Sequence, residues 1–273
     1  MGGAGPAGSV TWALLALVLA AGPAEWALPG VRVHVEASEE LDPDRLRALA
    51  RPEVVIWLRT RSNGLRRSTA ETLQLGGSAF VQVRPPLGAP ALAPFVGRVG
   101  PWVEERGLDV ARVRRWSPGR LAVDVEGRFT DALARRLRTL RPIAVRWARG
   151  AWPDREEWTR ARAFPGLVIT DAGPGGGECG TIPSRTRVRV RVPLASMPAD
   201  GICGLPLRIQ VPAAVDAGDV QRALLLHPSA DVEVEVGDDV GRADAVRRLV
   251  ERLASATPQG GASTARAADA GQR

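Results

Sequence analysis

Apolar and polar positions alternate in several short stretches of this chain, and helical spacing fills most of the segments between them. From Arg120 to Arg149 the order is strand, helix, strand. Leu121, Val123 and Val125 alternate with Ala122, Asp124 and Glu126, the period of a strand with one buried face. Thr130 is placed to cap a helix in which Leu133, Leu137 and Leu140 recur at helical spacing. Pro142 ends that helix, and Ile143, Val145 and Trp147 resume the alternation. The same order starts again near residues 31 and 206, as VRVHVEA with RLRALARPEVVIWLR and as LRIQVPA with VQRALLLHPSADVEVEV.

Reading the whole chain this way predicts nine strands: 31–36, 53–59, 79–84, 121–126, 143–147, 167–170, 187–192, 205–211 and 231–236. Helices are predicted after Asp42-Pro43, from a Ser68-x-x-Glu71 capping box, after Thr130, after Pro153-Asp154, over about 216–226 and over 243–254. The connection 87–118 is broken by Pro94, Gly97, Gly100 and Pro101, so only short helices are expected there, one around Trp102 to Arg106. Two late connections, 171–184 and 193–204, have no helical period.

Strands separated by helices pair in parallel through right-handed crossovers. One face of the set is apolar: Val33 and Val35, Val123 and Val125, Val190 and Val192, Ile209 and Val211, Val232 and Val234. The other carries Arg32, His34 and Glu36, then Phe80, Gln82 and Arg84, Asp124 and Glu126, Arg189 and Arg191, Arg208, Asp231 and Glu233. Helices should therefore cover one face only. A closed barrel puts the polar face in its lumen and leaves no edge strand, whereas an open sheet would leave that face in water. The fold expected is a (βα)-repeat barrel, TIM-like but degenerate, with eight to nine strands, helices on one face and a polar lumen, formed by 31–256 as a single domain. Trp57 and Trp147 each follow a proline by five residues and are expected to pack equivalently between strand and helix.

Residues 10–21 are apolar and are followed by Gly22-Pro23-Ala24. This pattern predicts a signal peptide over 1–24 and export, periplasmic or secreted, with anchoring through residues 10–24 as the alternative. Residues 257–273 are small and polar, as in a disordered tail. Cys179 and Cys203, the only cysteines, fit one disulfide in an exported chain. The net charge is +7 and the pI about 11.1, yet every basic residue is Arg, there is no Lys, and the charges are interspersed along the chain. A GC-rich genome accounts for that bias, and no nucleic-acid partner is inferred from it.

No phosphate loop, G-x-S-x-G or metal-ligand spacing occurs, so no cofactor or metal is predicted. Gly173 to Gly177 follows a strand, but without the Lys-Ser/Thr and helix start of a phosphate loop. The catalytic candidates are Asp124 and Glu126, both facing the lumen at a strand's C-terminal end. In spacing, this Asp-x-Glu pair resembles that of barrel glycosidases, which implies one carboxyl held protonated and one ionised. The ligand-binding candidates are Arg84, Arg146, Arg191 and Glu36. A mouth lined by Arg84, Asp124, Glu126, Arg146 and Arg191 would suit a small acidic or carbohydrate ligand, or an envelope component. The competing expectation is that these charges pair with one another. The function expected is binding by an exported barrel, with a carbohydrate hydrolase using Asp124 and Glu126 as the alternative; the sequence leaves catalysis and oligomeric state undecided.

Overall fold

A computed structural model describes residues 32–61, 65–83, 97–106, 109, 113, 120–164, 166–172 and 179–256. The expected signal segment, the tail, Arg84 and the Gly173–Gly177 run lie outside them. Ten strands form one closed parallel barrel in the order β1-β10-β9-β8-β7-β6-β5-β4-β3-β2. They are β1 (Val33–Ser38), β2 (Val54–Arg59), β3 (Ser78–Gln82), β4 (Val99–Glu104), β5 (Ala122–Glu126), β6 (Ala144–Ala148), β7 (Leu167–Asp171), β8 (Arg189–Pro193), β9 (Leu207–Val211) and β10 (Asp231–Gly237). The helices are α1 (Pro43–Leu49), α2 (Arg67–Gln74), α3 (Asp131–Leu140), α4 (Arg155–Ala161), α5 (Ala217–Leu226) and α6 (Val240–Ala256). β1 pairs with β10 along Val33↔Val232 to Glu36↔Glu235, which closes the barrel.

The outward strand residues form one continuous apolar layer with the helices. Val33, Val35, Val123, Val145, Ile209, Val232 and Val234 are buried together with Leu46, Leu73, Leu137, Val220 and Val246. Local chemistry fixes the helix starts. Asp42 accepts hydrogen bonds from the Asp44 and Arg45 amides ahead of α1, and Thr130 caps α3 through the Leu133 amide. Asp154 and Glu157 form a reciprocal capping box on α4. Arg141, in the left-handed conformation, closes α3 just before Pro142.

Three expectations need correction. The segment around Trp102 is a strand, β4, and not a helix, which raises the strand count from nine to ten. Its Gly100 and Pro101 read as breakers, but both suit their places. A Cβ on Gly100 would lie 2.2 Å from the Arg120 carbonyl oxygen, so only Gly permits that approach. The β4–β5 register begins at Trp102↔Ala122, so Pro101 precedes it and its missing N–H removes no bond from that ladder. Second, Ser68 and Glu71 do not cap α2. Its N-cap is Arg66, with no side-chain hydrogen bond, and Glu71 pairs with Arg67 one turn before it at 2.9 Å. Third, Trp57 and Trp147 face opposite ways. Trp147 lies in the helix-facing layer, whereas Trp57 joins Phe80, Trp102 and Ala122 in a second buried cluster inside the barrel. β2 is apolar on both faces, so its pattern could not tell inside from outside.

Candidate functional site

The lumen has an aromatic wall and a charged wall. Phe80 and Trp102 pack on Trp57, with ring centroids 4.7 and 5.3 Å away. Opposite stand the polar residues of β1, β10, β9 and β8. Trp57 joins the two walls by donating its indole N–H to His34 Nδ1 at 3.2 Å. That donor leaves the proton of a neutral His34 on Nε2, which faces Asp231 Oδ2 at 3.4 Å.

The deeper part of the lumen is a network of ion pairs. Asp231 is met by Arg189 at 3.0 Å and Arg208 at 3.4 Å, and Glu233 by Arg191 at 3.1 Å and Arg208 at 3.8 Å. Arg208 Nη2 stands 3.1 Å from His34 Nε2. Burial first, and then the Arg208 charge, push His34 down to about 4. Burial alone would raise Asp231, but the hydrogen bond from His34 and the Arg208 and Arg189 charges hold it well below the usual carboxylate range. Glu233 is likewise depressed: its burial is outweighed by Arg208, Arg146 and Arg191.

The centre of the rest of the lumen is Arg146, the middle residue of β6. Its Nη1 reaches Glu36 of β1 at 3.3 Å across the lumen. Its guanidinium carbon lies 5.3 Å from the Trp57 ring and 4.9 Å from the Trp102 ring, cation–π geometry. Glu36 also accepts from Arg59. The Arg146 side chain is 13% exposed and that of Asp124 28%. Arg146 Nε stands 3.9 Å from Asp124 Oδ1, too far for a hydrogen bond, and that buried oxygen has no other hydrogen-bond partner. Burial pushes Asp124 up to about 6; Arg146 and the Trp102 indole act to lower it, and Glu36 and Glu104 to raise it.

The structure therefore brings together Asp124, Arg146 and Glu36. It does not bring in the other two described candidates. Arg191 turns to Glu233 and to the Thr170 carbonyl, at 3.1 and 2.9 Å, reaching the β10 acid across β9. Glu126 lies at the rim, where it pairs with Arg106 at 3.3 Å; the two side chains are 63% and 75% exposed. Trp57, Trp102 and Arg59 belong to the site but were not singled out for it by sequence. With β2 apolar on both faces, parity offered no signal for Trp57. Among the described residues, no three His, Cys, Asp or Glu side chains converge as a metal site. No described helix is long and apolar enough to cross a membrane.

Fold and lumen together define a closed parallel α/β barrel whose polar interior is largely paired within itself. No protein-family model matches the chain, and no curated protein sequence matches it. Among solved structures, the chain is similar to the YdjI aldolase from Escherichia coli, with 11% identity, TM-score 0.34, and 83% of this chain and 89% of that one covered. It is also similar to an HpcH/HpaI aldolase from Desulfitobacterium hafniense, with 13% identity, TM-score 0.39 and coverage of 82% and 93%. A third likeness is to an uncharacterized protein from Agrobacterium tumefaciens, with 14% identity, TM-score 0.33 and coverage of 84% and 86%. At these scores the likeness carries no argument about chemistry, and the fold rests on the strand order itself.

Proposed function

We propose that this chain is an exported binding protein that takes a small carboxylate or carbohydrate ligand, free or as part of an envelope polymer, at the C-terminal mouth of its barrel. One observation carries the reading. Asp124 and Arg146 are register partners at the middle of β5 and β6, and they face each other at 3.9 Å as an ion pair without a hydrogen bond, which leaves Asp124 Oδ1 without a hydrogen-bond partner. A donor and an acceptor held apart in this way can be bridged by a ligand oxygen. Export is supported by the Cys179–Cys203 disulfide and by the apolar run over 10–21.

The test is a thermal-shift panel of uronates, simple carboxylates and neutral sugars on wild type and on Asp124→Ala. A rise in Tm with at least one probe, lost in the variant, is expected. No shift with any probe would overturn the reading.

Hydrolysis is the second reading, and the raised Asp124 carboxyl favours it, because a proton-donating acid needs such a value. Glu126, the second carboxylate of this reading, would have to leave Arg106 at the rim and turn inward to serve. Release of phenol from aryl glycosides, abolished by Asp124→Asn, would support it over simple binding.

A further inference from the structure

Resting on the proposed binding site, we infer that ligand capture at this mouth is coupled to uptake of one proton by Asp124, so that the site selects carboxylates held between Arg146 and a protonated Asp124. The argument begins with what Arg146 can still do. Its Nη1 is committed to Glu36, and its guanidinium carbon lies 5.3 Å from the Trp57 ring and 4.9 Å from the Trp102 ring. The Nε edge points toward Asp124 Oδ1 across 3.9 Å. An oxygen of an incoming carboxylate can take that edge only by standing close to Asp124.

The charges around this point decide what may stand there. Arg146 faces Asp124 from β6, Glu104 and Trp102 from β4, and Glu36 from β1, with Arg59 on Glu36; Glu126 lies on the same strand and is tied to Arg106. With Asp124 ionised, Glu36, Asp124 and Glu104 outnumber Arg146 and Arg59, and an arriving anion is repelled. With Asp124 protonated the local charge balances, and its O–H becomes a donor to the ligand. One proton thus converts a repelling carboxylate into a second hydrogen-bond donor beside the guanidinium. Burial of Asp124 already favours that protonated form. A cationic ligand is disfavoured, since the guanidinium itself occupies the aromatic faces where a cation would sit. A neutral sugar needs no proton, so proton uptake separates the ligand classes.

The experiment is calorimetric titration of wild type with galacturonate and with methyl glucoside, in phosphate and in Tris, buffers of small and large ionisation heat. For galacturonate, the heats should differ between the buffers by the equivalent of about one proton at pH 7.5. The Kd should weaken about tenfold per pH unit above pH 6, the slope of single-proton linkage. In Asp124→Asn the heats should become independent of buffer and the pH slope flat. Equal wild-type heats in both buffers, or methyl glucoside binding as tightly as galacturonate, would overturn the coupling while leaving a binding site in place. Silence of both probes at pH 5 and at pH 7.5, together with a thermal-shift panel without any response, would remove the site and the coupling with it.

Discussion

At the scale of single residues, two carboxylates of the same lumen parity have opposite energetic roles. Glu126 meets Arg106 in solvent, and an exposed pair of this kind contributes about 0–1 kcal/mol. Glu126→Gln should leave the urea midpoint nearly unchanged. Glu36 is buried and holds both Arg59 and Arg146. Glu36→Gln strands the buried Arg146 charge and should cost about 3–5 kcal/mol; a midpoint shift smaller than that of Glu126→Gln would contradict the pairing. His34 and Asp124 predict a pH dependence with opposed signs. In the unfolded chain His34 binds its proton near 6.5, but in the barrel only near 4, so acidification through that window removes about 3 kcal/mol of stability. Asp124 binds its proton near 6 in the barrel and only near 3.8 when unfolded, so over the same window it restores a similar amount. Wild-type stability should therefore change little from pH 7 to pH 4.5. Asp124→Asn removes this compensation and should lose about 2–3 kcal/mol over that range in urea melts. A wild-type curve as steep as the variant's would contradict the opposition.

At the scale of elements, the repeat holds where helix covers strand. Leu49, Leu140 and Leu224 end α1, lie at the last residue of α3 and sit late in α5, and all three are buried. Each Leu→Ala change should cost about 2–5 kcal/mol. Leu224, at 9% exposure the least enclosed, should fall at the low end of that range; a denaturation midpoint equal to wild type at any of them breaks the equivalence there. Strand entries impose a different constraint. A Cβ at Gly166 would stand 2.1 Å from the Ile143 carbonyl oxygen, as one at Gly100 would against Arg120. Backbone cannot yield as a flexible side chain does, so Gly100→Ala and Gly166→Ala should each cost roughly 1–3 kcal/mol or more. These close approaches explain why β4 escaped the sequence pattern: the Gly and Pro that read as loop chemistry are what let this strand lie against its neighbour.

At the scale of the molecule, one-sided helix cover was legible because the lumen is polar. An ordinary parallel sheet buries both faces and shows no alternation, whereas here Val232 and Val234 separate cleanly from Asp231 and Glu233. The site was legible only in part. Parity placed Asp124, Arg146 and Glu36 inside, but which charges meet depends on closure and stagger, which bring Arg146 to Glu36 across 110 residues of sequence. The same parity wrongly grouped Arg191 with them, since nothing local reveals that the β10 acids lie nearer. The missing helical period of the β7–β8 and β8–β9 connections was also legible, and it makes the disulfide's role a property of the whole barrel. The β7–β8 and β8–β9 connections cover the outer face with Ile182, Leu194, Met197 and Ile202, each only partly buried. The β1–β2, β2–β3, β5–β6, β6–β7 and β9–β10 connections supply that cover with an α-helix. Cys179 and Cys203 join these two connections across 24 residues, and closing a loop of that length in the unfolded chain stabilises the fold by about 3 kcal/mol in the chain-entropy model. Replacing both cysteines by Ser should lower the unfolding free energy by about that amount, with the helix-covered side of the barrel unfolding in the same transition. Thiol titration of the unfolded, unreduced protein should find no reactive sulfur; two titrating thiols would show that the crossovers are held by their apolar contacts alone.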